Sequence, residues 1–507
     1  MNDATLAHAA PLDTTMDGEG GTEHVDVLIV GAGISGVGGA YHLTTQCPGT
    51  SFVVLESQDC FGGTWITHRY PGIRSDSDLH TFGYRFKPWT GVPIATAAEI
   101  LAYMGQVIEE NGLGAHIRYR HRITAAAWSS RDNRWTIEGR RSDSGESFRF
   151  TANFLYMCQG YYRHDAPYTP HWDGMAAYTG RIVHPQRWPE DLDYRGKSVL
   201  VIGSGATAAT LIPAMAPDCG HITMLQRSPT YFRSGRNAIE LAEQLRELQV
   251  DEAWIHEIVR RRILLDQALF TRRTFEEPDT VRQELLDAAR AQLGPGYDVA
   301  THFSPRYRPW QQRLAFIPDG DLFQAIRSGQ ASVVTDEIER FTAAGVLLKS
   351  GRELQADIVV TATGFNLCVL GDIDFVVDGT GLNFADTITY RGMMFTGVPN
   401  LAWVFGYFRA SWTLRSDLVG DFVCRLLKHM RRIGARKVEV ALRPEDRDMR
   451  ILPWIDAENF NPGYMQRGMH LLPRRGDKPE WAHTQDYWSE KDAIPGTDLD
   501  DAAFVYG

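Results

Sequence analysis

Two glycine-rich turns, each entered from an apolar run, constrain this chain more than any other feature. Residues 25–43 read VDVLIVGAGISGVGGAYHL, in which Val25 to Val30 lead into Gly31, Gly33 and Gly36 and then into apolar residues at helical spacing. That order is a strand, a tight turn and a helix. The glycines let the backbone approach a pyrophosphate whose charge rests on the helix N-terminus. A second strand, SFVVLES, ends in Glu56, 25 positions after Gly31, where a carboxylate can accept hydrogen bonds from an adenosine ribose.

The pattern recurs at KSVLVIGSGATAATLI, where Val199 to Ile202 run into Gly203, Gly205, Thr207 and Ala208. Its following strand, HITMLQRSPT, carries Arg227 and Ser228 where the first site has Glu56. An acidic residue repels a 2′-phosphate, whereas an arginine beside a hydroxyl binds one, so this second site is expected to prefer NADPH to NADH. The acidic first site is assigned to FAD. Between about 231 and 300 the apolar residues fall three and four apart, which predicts a helical insertion able to cap a pocket. The strand pattern at Asp357 to Val360 and the turn at Ala362, Thr363 and Gly364 predict the return to the first domain.

The expected fold is therefore α/β, with two nested Rossmann-like dinucleotide-binding domains and a helical insertion. Residues 25–165 with 345–507 form the FAD domain, and 166–344 the NADPH domain. Residues 1–24 are expected to be a disordered leader. A net charge of −11 with no long basic run argues against nucleic acid as a partner. No stretch approaches the ~18 apolar residues of a spanning helix, which points to a cytoplasmic protein and leaves peripheral membrane attachment open. The six cysteines have no metal or redox spacing, so no metal is expected and they read as small hydrophobes in a reducing compartment. In particular Cys60 is followed by no cysteine until Cys158, which excludes a dithiol reductase of the CxxxxC type.

Two further stretches are more specific. GGTWITHRYPGIRSDSD, residues 62–78, resembles the signature [A/G]GxWxxxx[F/Y]P[G/M]xxxD of Baeyer–Villiger monooxygenases through Gly63, Trp65, Tyr70, Pro71, Gly72 and Asp76. YTGRIVHPQRWP, residues 178–189, resembles their fingerprint FxGxxxHxxxW[P/D], with Tyr178 in place of the Phe. Both lie in order between the two glycine motifs. The likeness is closest to the ethionamide-activating subgroup, on RYPGIRSDSD, VIGSGATA, LQRSPTY and ASWTL. A departure is Gln312, where many members have a lysine beside the essential arginine, leaving more of the 2′-phosphate to Arg227.

The resemblance implies that FAD, reduced by NADPH, captures O2 as a C4a-peroxyflavin that converts ketones to esters or lactones, and that thioethers are sulfoxidised as well. It implies contacts to FAD from Gly63, Thr64, Trp65 and Asp76. Arg313 aligns with the arginine that stabilises the oxidant and meets NADPH, and Asp76 is expected to pair with it. Gly180, His184 and Trp188 are assigned to domain coupling: Gly180 to a turn closed to other residues, Trp188 to an anchor, and His184 to a structural part rather than proton transfer. Phe408 and Trp412 are candidate pocket lining. An N- or S-oxygenating enzyme with little ketone activity, or an NADPH:acceptor reductase, are the alternatives.

Overall fold

The computed structural model describes residues 16–17 and 22–507; most of the expected leader lies outside the described residues. Met16–Asp17 pairs antiparallel with Thr22 and Glu23, so the first strand, Thr22–Val30, begins earlier than its apolar run.

Thr22–Val30 is central in a ten-stranded sheet, flanked in parallel by Phe52–Leu55 and Ser147–Met157. Burial on both faces accounts for the unbroken apolar run VLIV. His121–Ser129, Arg134–Arg141 and Ser147–Met157 form an antiparallel meander that widens the sheet, and Leu401–Trp403 joins Ser147–Met157 in parallel. The helix Ile34–Gln46 packs beside the long C-terminal helix Trp412–Ile433. Gly420 lies against His42 there, since a Cβ on it would meet His42 Cδ2 at 2.6 Å.

The second sheet is parallel throughout, in the order Ala331–Thr335, His221–Gln226, Ser198–Ile202, Ile358–Thr361, Arg181–Val183. This corrects the expected boundary at 345. Ile358–Thr361 does not open the return to the first sheet; it is hydrogen-bonded between Ser198–Ile202 and Arg181–Val183. All four of its residues are buried, as an inner parallel strand requires. The small antiparallel sheet Ile338–Phe341, Gly345–Leu348 and Glu353–Gln355 precedes it. The chain rejoins the first sheet only at Asp374–Val377, beside His121–Ser129.

The expected insertion is helical as read: Glu240–Glu247, Glu252–Glu276, Pro278–Leu293 and Val299–His302. It is seated on the first domain by Arg260, which is buried and donates through Nη1 to the carbonyls of His80 (2.7 Å), Thr81 (3.3 Å) and Gly83 (3.3 Å). The C-terminal stretch beyond Leu452, which shows little periodicity in sequence, is ordered by long-range contacts. Trp454 and Trp481 are almost fully buried. Arg415 pairs with Glu490 at 2.7 Å inside the protein, where Tyr407 also donates to the same carboxylate. Six cysteines are free thiols.

Candidate active site

The first glycine turn is built by close approach. Gly31 has φ +95°, and a Cβ there would sit 3.0 Å from the Cys158 carbonyl oxygen, at the end of the neighbouring strand. A Cβ on Gly36 would lie 1.8 Å from the Gly31 carbonyl oxygen, so the helix is pressed directly on the turn. Gly33 heads Ile34–Gln46, whose first turn has no side-chain cap and no acidic residue. Its N–H groups are thereby left for an anion. Glu56 is buried at the end of Phe52–Leu55, with Oε2 accepting from Ala32 N (2.7 Å) and Oε1 from Gln58 N (2.8 Å). These bonds fix a carboxylate that retains lone pairs for ribose hydroxyls.

The second turn repeats the device. Gly203 has φ +128°, and its Cβ would meet the Ala362 carbonyl oxygen at 2.3 Å. Gly205 heads the helix Ala206–Met215, again without a side-chain cap. Ala208, in the third glycine position, is fully buried, so a methyl group fills that place. Both cradles fit a dinucleotide pyrophosphate. Arg227 and Ser228 are exposed just past His221–Gln226, apart from the cavity described next.

A cavity of about 630 Å³ runs from the first turn to the second. It is lined by Gly31, Gly33 and Glu56, by Gly63, Thr64 and Trp65, and by Gly205 and Thr207. Gly63, with φ +54°, faces Gly33 so closely that its Cβ would lie 3.2 Å from Gly33 Cα. The first signature is thus folded against the nucleotide turn.

Asp76 and Arg313 meet in this cavity, with Arg313 Nη1 donating to Asp76 Oδ2 at 2.8 Å. They come from positions 237 apart, and no local pattern joins them. Burial works against the guanidinium charge, but the Asp76 carboxylate and the hydroxyls of Tyr161, Tyr464 and Tyr162 outweigh it and hold the Arg313 pKa well above its ordinary value. Arg313 is a permanent cation here. Arg74 forms a second pair nearby, with Asp321 at 2.6 Å.

Trp412 lines the cavity, stacks on Tyr161 (5.0 Å, 10°) and donates from Nε1 to Ser35 Oγ at 2.8 Å. Phe408 does not line it. Its ring is buried and stacked on Phe460 (4.5 Å, 21°), which makes it core and corrects its expected place. Sequence reasoning missed Tyr161, Tyr162 and Tyr464, which border the cavity beside Arg313. A paired Tyr-Tyr just after Gln159-Gly160, at the end of a sheet strand, was the available signal. Gln312 Nε2 reaches Asn461 Oδ1 at 3.3 Å, tying this loop to the C-terminal stretch.

The fingerprint lies where the two interdomain crossings run side by side. The outgoing crossing bonds to the returning one through Arg163 N to Asn366 O (2.9 Å), Asn366 Nδ2 to Ala166 O (3.0 Å), Thr363 Oγ1 to Tyr168 O (2.7 Å) and Cys368 N to Tyr161 O (2.9 Å). Gln186 donates from Nε2 to the carbonyls of Arg163 (2.6 Å) and His164 (2.7 Å). His184 accepts from Gln186 N at 3.1 Å, and burial lowers its pKa to about 4, so the imidazole is neutral near pH 7. Trp188 packs on the core of the second domain. The reading of Gly180 needs correction, because its backbone is not in the left-handed region. A Cβ there would lie 2.4 Å from both the Asp357 carbonyl oxygen and the Tyr178 hydroxyl, so the requirement is space. Tyr178 Oη donates to the Ala356 carbonyl at 2.7 Å, a bond that the usual Phe lacks.

Two cradles for dinucleotides opening on one cavity, with a fixed cation between them, define a flavoprotein oxidoreductase with a second, nicotinamide site. Residues 29–89 match the NAD(P)-binding Rossmann-like domain family. The chain belongs to the FAD-containing monooxygenases. It is 46% identical over 483 residues to the FAD-containing monooxygenase EthA of Mycobacterium tuberculosis, covering 95% of this chain and 97% of that protein. It is 41% identical over 488 residues to the probable FAD-binding monooxygenase AlmA of Acinetobacter baylyi, covering 96% of each. The fold is that of solved monooxygenase structures. A steroid monooxygenase bound to NADP has a TM-score of 0.76 at 24% identity, over 95% of this chain and 99% of that one. A cyclohexanone monooxygenase with bound ε-caprolactone has a TM-score of 0.73 at 20% identity, over 96% and 100%.

Proposed function

We propose that this protein is a Baeyer–Villiger monooxygenase: a ketone, O2, NADPH and a proton yield an ester or lactone, water and NADP⁺. Thioethers are a second substrate class, going to sulfoxides with the same stoichiometry. The observation that carries the reading is the Arg313–Asp76 ion pair, 2.8 Å long, inside the cavity between two dinucleotide cradles. Simple hydride traffic needs no such pair.

Gly31, Gly33 and Gly36 would hold the FAD pyrophosphate and Glu56 its ribose; Gly203, Gly205 and Thr207 would hold NADPH, with Arg227 and Ser228 at its 2′-phosphate. FAD reduced by NADPH supplies the activation of dioxygen. Arg313 then holds a fixed positive charge where negative charge develops on oxygen, at no reorganisation cost. Asp76 orients the guanidinium fork by a charge-assisted hydrogen bond. Tyr161, Tyr162, Tyr464 and Trp412 wall the same cavity with aromatic surface beside that charge.

The test is mass spectrometry of products formed under ¹⁸O2 from a panel of ketones and thioethers. One labelled oxygen in an ester supports the reading. Label in sulfoxides alone would favour an N- or S-oxygenating enzyme, and peroxide with no labelled organic product would favour a reductase.

A further inference from the structure

Several arginines drawn out of solvent in this protein are matched by a carboxylate, among them Arg74 by Asp321, Arg313 by Asp76 and Arg415 by Glu490. Arg308 and Arg409 are half-buried, and among the described residues neither forms an ion pair. Yet they stand together. Arg308 donates through Nη2 to the Asn459 carbonyl at 3.4 Å, and Arg409 Nη2 donates to the same oxygen. Both guanidiniums also lie over the Phe275 ring, with Cζ 4.0 Å and 5.1 Å from its centroid. Arg260 shows that carbonyls alone can hold one guanidinium. Here two are gathered at one point, where charge withdrawn from water calls for a counter-charge.

Their remaining bonds go to backbone. Arg308 Nη1 donates to the carbonyls of Thr274 (3.4 Å) and Pro309 (3.2 Å), and Arg409 Nε to that of Trp310 (3.2 Å). Among the described residues Arg308 Nε and Arg409 Nη1 have no acceptor, and neither atom is sealed from solvent. Of the carboxylates nearest in sequence, Glu277 pairs with Arg273, and Asp456 accepts from Glu458 N and Asn459 Nδ2. Glu276 and Glu458 are exposed and form an ion pair with neither arginine. Burial, and after it the charge of Arg308, pushes the Arg409 pKa down to about 10 from an ordinary 12.5. Burial lowers that of Arg308 as well. The protein supplies two positive charges here and pairs them with no negative one.

Guanidinium forks match the oxygens of phosphate, and a phosphate monoester carries ~2 negative charges near pH 7. We propose that Arg308 and Arg409 form a binding site for an oxyanion of the phosphate class, as the free ion or as an ester, apart from both dinucleotide cradles. Neither arginine lines the cavity. Three segments that wall the cavity nevertheless meet at this point: Arg308 precedes Gln312 and Arg313, Arg409 precedes Trp412, and Asn459 precedes Pro462, and those four followers all line the cavity. A bound oxyanion ties the three segments together from outside, without touching the reacting atoms.

The test is isothermal titration of the full-length, FAD-loaded protein with inorganic phosphate and with glycerol phosphate, at constant ionic strength in chloride. Saturable binding at one site per chain is expected, and the tighter of the two probes tells free ion from ester. Acetate, with a single charge, should bind at least ~10-fold more weakly. Arg308→Gln with Arg409→Gln should weaken phosphate binding ~10- to 100-fold, the scale of lost charge-assisted hydrogen bonds, at parental flavin content and NADP⁺ affinity. Each single variant should bind with intermediate affinity, so the singles decide the matter if the double variant fails to fold. A parent that binds neither probe saturably overturns the proposal, as do variants that bind as the parent does, or acetate that matches phosphate. Competition between phosphate and NADP⁺, or a loss of the preference for NADPH over NADH in the variants, would overturn it by making this the cofactor's own 2′-phosphate site.

Discussion

Replacing Asp76 by Asn removes the charge opposite Arg313 while keeping the side-chain volume and one acceptor oxygen. The pair is 2.8 Å long, and each side chain is 32% exposed. Two unit charges ~4 Å apart attract by ~1 kcal/mol in water and ~4 kcal/mol at an effective dielectric of ~20. A pair one-third open to solvent lies between, at ~2 kcal/mol, which is about 30-fold in rate if the orientation of Arg313 is expressed only during oxygen transfer. The expected outcome for Asp76→Asn is a loss of ~10- to 100-fold in kcat/KM for ester formation, at unchanged FAD content. NADPH oxidation should continue with hydrogen peroxide as the product, so ester formed per NADPH consumed is the decisive ratio. Parental values of that ratio would refute the argument that Asp76 acts by holding Arg313. Loss of FAD would instead assign Asp76 to the cofactor's own site.

Arg227→Ala should reduce the preference for NADPH over NADH by roughly 1.5–3 kcal/mol, the scale of a charge-assisted hydrogen bond, read from kcat/KM with each nucleotide; an unchanged ratio would move the 2′-phosphate site elsewhere. Gly36→Ala places a methyl group 1.8 Å from the Gly31 carbonyl oxygen, so the variant should lose FAD or fail to fold, by flavin absorbance after gel filtration. Burial, the larger cause, holds His68 and His184 near pKa 4 against an ordinary 6.5, with neighbouring imidazole charge adding to the lowering at His68. A base depressed in the folded state binds its proton more readily when unfolded, so its stability contribution is intact above pH ~6.5 and is lost as pH falls toward ~4, by up to roughly 3 kcal/mol each. Urea midpoints should fall across that window, and less steeply in His68→Gln or His184→Gln. Tyr178→Phe should lower stability by ~0.5–1.5 kcal/mol through loss of the bond to the Ala356 carbonyl, with kcat unchanged.

The nucleotide cradles were legible in the sequence because their chemistry demands glycine at fixed short spacing, and Gly31, Gly36 and Gly203 each meet backbone that no other side chain could face. Asp76 and Arg313 were legible only through family signatures, since nothing local relates residues 237 positions apart. What was not legible is what distant segments decide. Ile358–Thr361 reads as an apolar strand in isolation, and only its partners Ser198–Ile202 and Arg181–Val183 say which sheet owns it. Gly180 owes its identity to the Asp357 carbonyl rather than to its own torsion angles. Phe408 and Trp412 are equally aromatic and four residues apart, yet a stack on Phe460 claims one and the cavity the other. The C-terminal stretch has no periodicity to read because its order comes from Trp454, Trp481 and the buried Arg415–Glu490 pair.

The paired interdomain crossings limit how such an enzyme can be rebuilt. Because Arg163, Ala166 and Tyr168 on one strap are laced to Asn366 and Thr363 on the other, with Gln186 clamping the first, neither strap can change length alone. A chimera that takes its nicotinamide module from a relative must import both straps and the fingerprint as one cassette. Swapping at only one junction would leave a ladder with rungs on a single side.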